Sequence, residues 1–201
     1  PNRDGSNPLT ITGTDAAGNS RVLTSSLLIR YPYPDLQIHS ASLSGGAALS
    51  TVTLSYSGTN NVPSGPTRPG HTATGTWIDR FYLSPDAVYG NGNDIAIGPA
   101  LVGASGRGLA ISGPLTPGQT YNRNVTLDLP EFPGSYHLIV VSDADRAINE
   151  GANEGNNVLI SAAPISVSPI YSATVSTAQD QLIAGQSLSL TGQIVRISDG
   201  L

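Results

Sequence analysis

The sequence predicts an all-β chain built around an antiparallel β-sandwich, and three observations carry that prediction. Short apolar or alternating runs recur about every ten residues, each followed by a cluster of Gly, Pro, Asn or Asp. Helical periodicity is almost absent. The composition also suits a thin two-layer core: 23 glycines and 15 prolines supply the turns, and aromatics make up 5% of the chain. Such a core is filled by Val, Ile, Leu and Ala between two sheets about 10 Å apart.

The predicted strands, in order, are 9–13, 22–29, 36–43, 51–56, 75–83, 94–101, 121–129, 135–141, 157–161, 165–167, 172–177 and 187–197. The first two are β-prone runs joined by Ala-Ala-Gly-Asn at 16–19, a hairpin signal. Between the others stand SGG at 44–46, the Gly/Pro-rich stretch 63–75, GNGND at 90–94, TPG at 116–118 and EFPG at 131–134. Proline fixes φ and glycine admits positive φ, so these clusters interrupt strand pairing for a backbone reason. The prolines of YPYPD at 31–35 hold an extended linker, and PISVSPIYSATV at 164–175 reads as a second linker entering a new strand. Residues 36–43 and 51–56 find a weak echo in 172–177 and 187–192. Two readings of the ends stay open: fragments of two neighbouring modules, or one composite sandwich made from both ends.

Composition excludes several function classes. Net charge is −5 and all nine basic residues are arginine, so the electrostatic footprint of a nucleic-acid binder is missing. Charged residues are 11% of the chain, against about 25% in ordinary domains. With no cysteine there is no disulfide, thiolate zinc site or cysteine nucleophile, and with no methionine either, no oxidisable sulfur remains. That fits an extracellular setting. No apolar run approaches the ~20 residues of a membrane helix. The start at Pro1, without initiator Met or signal segment, reads as a piece of a longer protein.

Chemistry-bearing residues concentrate in two places. In WIDRFYLS, strand alternation places Trp77, Asp79, Phe81 and Leu83 on one face and Ile78, Arg80 and Tyr82 on the other. A carboxylate among Trp, Phe and Leu needs a partner. For Asp79 the candidates are Arg123, Arg146, backbone donors or a cation. Residues 136–157, YHLIVVSDADRAINEGANEGNN, run from a strand into a loop rich in Asp, Glu and Asn. Asp143, Asp145, Glu150 and Glu154 there supply the hard oxygen ligands that calcium takes. The spacing is not an EF-hand, because Ile148 stands where that loop requires Gly, although Glu154 fits its twelfth position. The competing reading is that these residues nucleate turns and cap strand ends. GNGNDIAIG at 90–98 is a single imperfect copy of a calcium nonapeptide and reads as a turn, with Asp86 and Asp94 as accessory oxygens.

No catalytic constellation emerges. His39, His71 and His137 lack metal-ligand spacing, no G-x-S-x-G elbow occurs, and GASGRG at 103–108 lacks the Lys-Ser/Thr of a phosphate loop. The three glutamates, Glu131, Glu150 and Glu154, make a poor glycosidase pair.

Between Pro34 and about Ser166 the chain resembles the CARDB family (cell-adhesion-related domain found in bacteria). The resemblance rests on PDLQI at 34–38, WIDRFYLSPD at 77–86, LTPGQTY at 115–121 and GSYHLIVVSDADRAINEGANEGNN at 134–157. It implies an Ig-like sandwich from large bacterial extracellular proteins and no catalysis; residues 62–75 depart from the pattern as an insertion. The expected division is 1–33 as a terminal hairpin of a preceding Ig-like module plus linker, 34–166 as the CARDB-like sandwich, and 167–201 as the opening strands of a following module. The expected role is a structural or adhesion module at the cell surface, stiffened by calcium where it is bound. Its partners would be neighbouring modules and a surface glycan or protein. A carbohydrate-binding module is the alternative; its platform would come from Tyr31, Tyr33, Tyr89 or Trp77. A third reading is a fragment of an extracellular enzyme.

Overall fold

The structure, a computed structural model, describes residues 5–29, 32–62, 70–101, 106–177, 181 and 183–197. Tyr31, residues 63–69 of the Gly/Pro-rich stretch and residues 103–105 of GASGRG lie outside the described residues. The strands are β1 (Gly5–Thr14), β2 (Ser20–Ile29), β3 (Leu36–Leu43), β4 (Gly46–Ala47), β5 (Thr51–Asn60), β6 (Thr76–Ser84) and β7 (Ile95–Ile97). They continue with β8 (Leu109–Ser112), β9 (Thr120–Asp128), β10 (Gly134–Val141), β11 (Val158–Ile160), β12 (Ile165–Ser168), β13 (Tyr171–Thr177) and β14 (Leu190–Arg196). The only helical turn among the described residues is a 3-10 turn at Gly151–Asn153, so no helix there is long and apolar enough to cross a membrane.

Two sheets form the sandwich. One has the order β3-β5-β9; the other has the order β4-β12-β10-β6-β7, with β11 also on β10 and β8 also on β6. All pairings are antiparallel except β4 with β12. The first edge of the sandwich is therefore split, β3 serving one sheet and β4 the other, as expected for an Ig-like sandwich. Gly45 permits the crossing, because a Cβ there would stand 2.3 Å from the Ser166 carbonyl oxygen.

Side-chain parity builds the core. On β6, Trp77, Phe81 and Leu83 point inward as the alternation predicts. They meet Leu36 and Ile38 of β3, Leu54 and Tyr56 of β5, Tyr121, Val125 and Leu127 of β9, and Leu138 and Val140 of β10. Strand β10 is buried along 138–141 on both faces, since Ile139 aligns with Tyr82 and Ile160 on the outward side. Four rings interlock edge-on: Tyr56 with Phe81 at 5.3 Å between centroids, Tyr56 with Tyr121 at 6.1 Å, and Trp77 with Tyr121 at 6.0 Å.

The structure departs from the strand expectations in specific ways. The 94–101 run joins the sheet only over β7, because Gly98 turns out at φ 112° and Pro99 follows; beyond it Ala100 makes an isolated bridge to Arg107. Strands β4 and β8 escaped prediction, having two and four residues and no readable alternation. The N-terminal hairpin is longer than predicted, whereas β14 is shorter than the predicted 187–197. The β1–β2 turn is held by Asp15, whose carboxylate accepts the Ala17 and Asn19 amides at 3.0 and 2.9 Å. The direct register pairs of β13–β14 place Tyr171, Ala173, Val175, Thr177, Leu190, Gly192, Ile194 and Arg196 on one face and Ser172, Thr174, Ser176, Thr191, Gln193 and Val195 on the other. The side chains of both strands are exposed throughout.

Candidate functional site

The region of interest is the mouth of the sandwich where β6 and β10 deliver Asp79 and the 142–157 loop. Asp79 is fully buried, and its Oδ2 accepts two phenol hydroxyls, Tyr56 at 2.9 Å and Tyr121 at 2.7 Å. Its Oδ1 lies 3.4 Å from the Asp143 amide. Burial raises its pKa to about 6, opposed by the bonds from Tyr121 and Tyr56. Of the partners weighed from the sequence, a backbone donor is present and the arginines are not. Arg123 is exposed and lies over the Tyr121 ring at 5.5 Å, and the Arg146 side chain is 75% exposed. The two tyrosines were missed. The readable signal was their parity, since Tyr56 and Tyr121 fall on the inward rows of β5 and β9, where a hydroxyl needs an acceptor.

After Val141 the chain turns sharply, with Asp143 at φ 45° and Arg146 at φ 54°. Asp143 closes this turn itself: its carboxylate oxygens accept the amides of Ala147 at 2.8 Å and Ile148 at 2.9 Å. It is nearly fully buried, and burial raises its pKa, reinforced by Glu154 and Asp145 and opposed by those two amides. Asp145 faces the other way, where the Arg80 guanidinium grips it at 2.9–3.2 Å. Exposed pairs of this kind contribute about 1 kcal/mol or less. Arg80→Ala should therefore lower Tm by only a few degrees, as thermal unfolding followed by circular dichroism would show.

Glu150 reaches back across the module. It is fully buried, Oε2 accepting the Leu36 amide and Oε1 the Asn157 side-chain amide at 2.6 Å. Burial pushes its pKa up to about 8 against those two bonds, with Asp143 and Glu154 adding repulsion. Beside it, Asp35 accepts the side-chain amides of Asn156 at 2.9 Å and Asn61 at 3.1 Å. Asn60, also buried, accepts the Asp35 amide and donates to the carbonyls of His71 and Leu115. The loop thus clamps the entry of the chain into β3. Asp35 and Asn60 were not singled out from the sequence, because their partners lie in distant segments.

Glu154 accepts the Glu150 amide through Oε1 at 2.9 Å, and its Oε2 stands 3.9 Å from Arg146 Nε. Asp143, Glu154 and Asn157 line one cleft of about 290 Å³ with Tyr89, Ser142 and Arg146. Glu154 Oε2 and Asn157 Oδ1 are buried without a hydrogen-bond partner. Of the five candidates from the sequence, the cleft takes in Asp143 and Glu154, while Asp145, Glu150 and Asp79 face protein donors. Among the described residues no group of three or more His, Cys, Asp or Glu is arranged to hold a metal ion. Asp86 is occupied by Asn91, Asn93 and the Val88 amide, and Asp94 Oδ2 by the Gly90 amide, which makes 84–94 a self-bonded turn.

The three aromatic candidates among the described residues sit in different settings. Trp77 is in the core, Tyr33 is half-buried, and Tyr89 meets Tyr82 at 5.4 Å with the rings tilted by 51°. The histidine rings that bond do so to backbone carbonyls: His71 to Thr72 and His137 to Ser161.

No curated protein matches the chain. Among solved structures, a CARDB domain from Pyrococcus furiosus, crystallised in complex with di-metal ions, is similar at 18% identity and a TM-score of 0.44. That match covers 70% of this chain and 99% of the other. The CARDB family model matches residues 33–161, which include the β6 strand bearing Asp79 and the whole 142–157 loop. Spanning well over half of the sequence, this match makes the chain a member of the CARDB family.

Proposed function

We propose that this chain is a non-catalytic structural and adhesion module of a large secreted or surface-exposed protein, acting as a spacer between neighbouring modules of the same polypeptide. Membership of a family of structural or adhesion-type modules supports this reading. The observation that carries it is the β13–β14 hairpin, whose mostly apolar face of Tyr171, Ala173, Val175, Leu190 and Ile194, edged by Thr177 and Arg196, is exposed among the described residues. A two-stranded sheet with one apolar face is marginal alone and needs a second layer. A following sandwich would supply that layer, with β13–β14 as its opening strands, and β1–β2 would close a preceding one. The 142–157 loop fits the same role, because its carboxylates are spent mainly on holding backbone amides. Calcium, where bound, stiffens this end of the module.

Pulling the chain from its two ends by force spectroscopy tests the reading. The sandwich should rupture in one cooperative event that releases about 40 nm of contour, from ~3.4 Å per residue. The terminal hairpins should extend earlier, at low force. Micromolar binding on a glycan array, or turnover of a polysaccharide, would instead establish the carbohydrate-binding or enzymatic alternative.

A further inference from the structure

We infer that the cleft formed by Asp143, Glu154 and Asn157 is a divalent-cation site, and that calcium is the ion its donors suit. This gives the stiffening ion of the reading above a place, and its failure would leave the spacer role standing.

Acidic residues alone would not make a site, and most of those in this loop are already spent. Asp145 is held by Arg80, and Glu150 by the Leu36 amide and the Asn157 side chain. What singles out the cleft is a shortage of donors. Asn157 is 5% exposed, its Nδ2 is fixed on Glu150, and its Oδ1 has no hydrogen-bond partner. The amide is thereby oriented with its oxygen free. Glu154 repeats the pattern: Oε1 is taken by the Glu150 amide, and Oε2 is buried with no hydrogen bond. Asp143 oxygens each accept one amide and so retain an acceptor lone pair. Buried acceptors left unpaired are costly and call for a positive or donating group.

The donors lining the cleft do not answer that need. Ser142 Oγ is engaged with the Tyr121 hydroxyl at 3.3 Å, and the Arg146 side chain is mostly in solvent, 3.9 Å from Glu154. A dication would neutralise the two carboxylates and take the amide oxygen as a third ligand. All three donors are hard oxygens, which favours calcium or magnesium over zinc or copper. The cleft is large enough to complete the shell with water, which suits the six to eight flexible ligands of calcium better than the tight octahedron of magnesium. With three protein ligands the affinity belongs to the weak extracellular class, Kd on the order of 10⁻⁴–10⁻³ M.

Calcium at 10 mM should raise Tm over EDTA by roughly 3–10 °C. Glu154→Gln, which keeps the oxygen that accepts the Glu150 amide, should lose at least half of that shift; Asp145→Asn should keep it. Terbium supplies a second readout that does not depend on Tm. Tyr89 lines the cleft, so excitation of the tyrosines should sensitise bound terbium, and Tyr89→Phe should remove most of that emission while leaving the calcium shift intact. Equal Tm values in calcium and EDTA together with no sensitised terbium emission overturn the site, and so does an Asp145→Asn variant that loses the shift while Glu154→Gln keeps it.

Discussion

Asp79→Ala is expected to destabilise the sandwich by roughly 3 kcal/mol, enough to lower Tm by about 10 °C in thermal or urea unfolding. The substitution strands two phenol hydroxyls in the core. Tyr56 and Tyr121 both donate to Asp79 Oδ2, at 2.9 and 2.7 Å, and both rings are buried. Asp79→Asn keeps an acceptor oxygen and should cost about 1 kcal/mol. Should the alanine variant match the wild type in stability, the two tyrosines must find other acceptors and the central role given to Asp79 fails.

The same carboxylate leaves a mark on the pH profile. Its folded pKa, about 6, lies above its ordinary value of 3.8, so the folded state holds this proton more tightly than the unfolded state. Glu150 behaves alike, rising from 4.5 to about 8. Between those limits unfolding releases protons, and stability falls as pH rises. The contribution is fully present below about pH 4 and is lost through pH 6 for Asp79 and through pH 8 for Glu150. In EDTA, Tm should therefore decline from pH 5 to pH 8, and Glu150→Gln should flatten the upper part of that decline.

Gly58→Ala is the second large effect. Gly58 faces Tyr121 across the β5–β9 pair, and a Cβ there would stand 2.2 Å from the Cζ and Oη atoms of that ring. The ring cannot yield freely, since its hydroxyl is tied to Asp79 and its face packs on Trp77 and Tyr56. Overpacking of this kind costs about 3 kcal/mol. A Tyr121→Ala background removes the obstacle, so Gly58→Ala added there should cost less than 1 kcal/mol, a non-additivity that a double-mutant cycle reads directly. Equal costs in the two backgrounds would mean that the strand, rather than the ring, resists the methyl group.

Much of this architecture is legible in short stretches of the chain. WIDRFYLS announces an inward row of Trp77, Asp79, Phe81 and Leu83, and the structure buries all four. The AAGN turn, the glycine and proline clusters and the apolar run of β10 likewise mark where strands begin and end. Strands β4 and β8 are invisible at that level. Gly46–Ala47 is a strand only because Gly45 lets the backbone approach Ser166, and Leu109–Ser112 only because β6 has a free edge.

The site divides the same way. That a buried Asp79 needs partners, and that an Asp/Glu/Asn loop must have its oxygens satisfied, follows from desolvation and can be read residue by residue. Who satisfies them cannot. Tyr56 and Tyr121 lie 23 and 42 residues from Asp79, and Leu36 lies 114 residues from Glu150. An arginine was the obvious partner by charge, yet a phenol hydroxyl serves a buried carboxylate at less desolvation penalty than a guanidinium. The same long-range closure separated the spent acids, Asp145 and Glu150, from Glu154 and Asn157, each of which keeps one side-chain oxygen, Oε2 and Oδ1, without a donor. Alternation and turn chemistry are local and dictate strands, inward faces and the class of module. Hydrogen-bond partners are chosen when two sheets close, so the allocation of each carboxylate belongs to the folded chain.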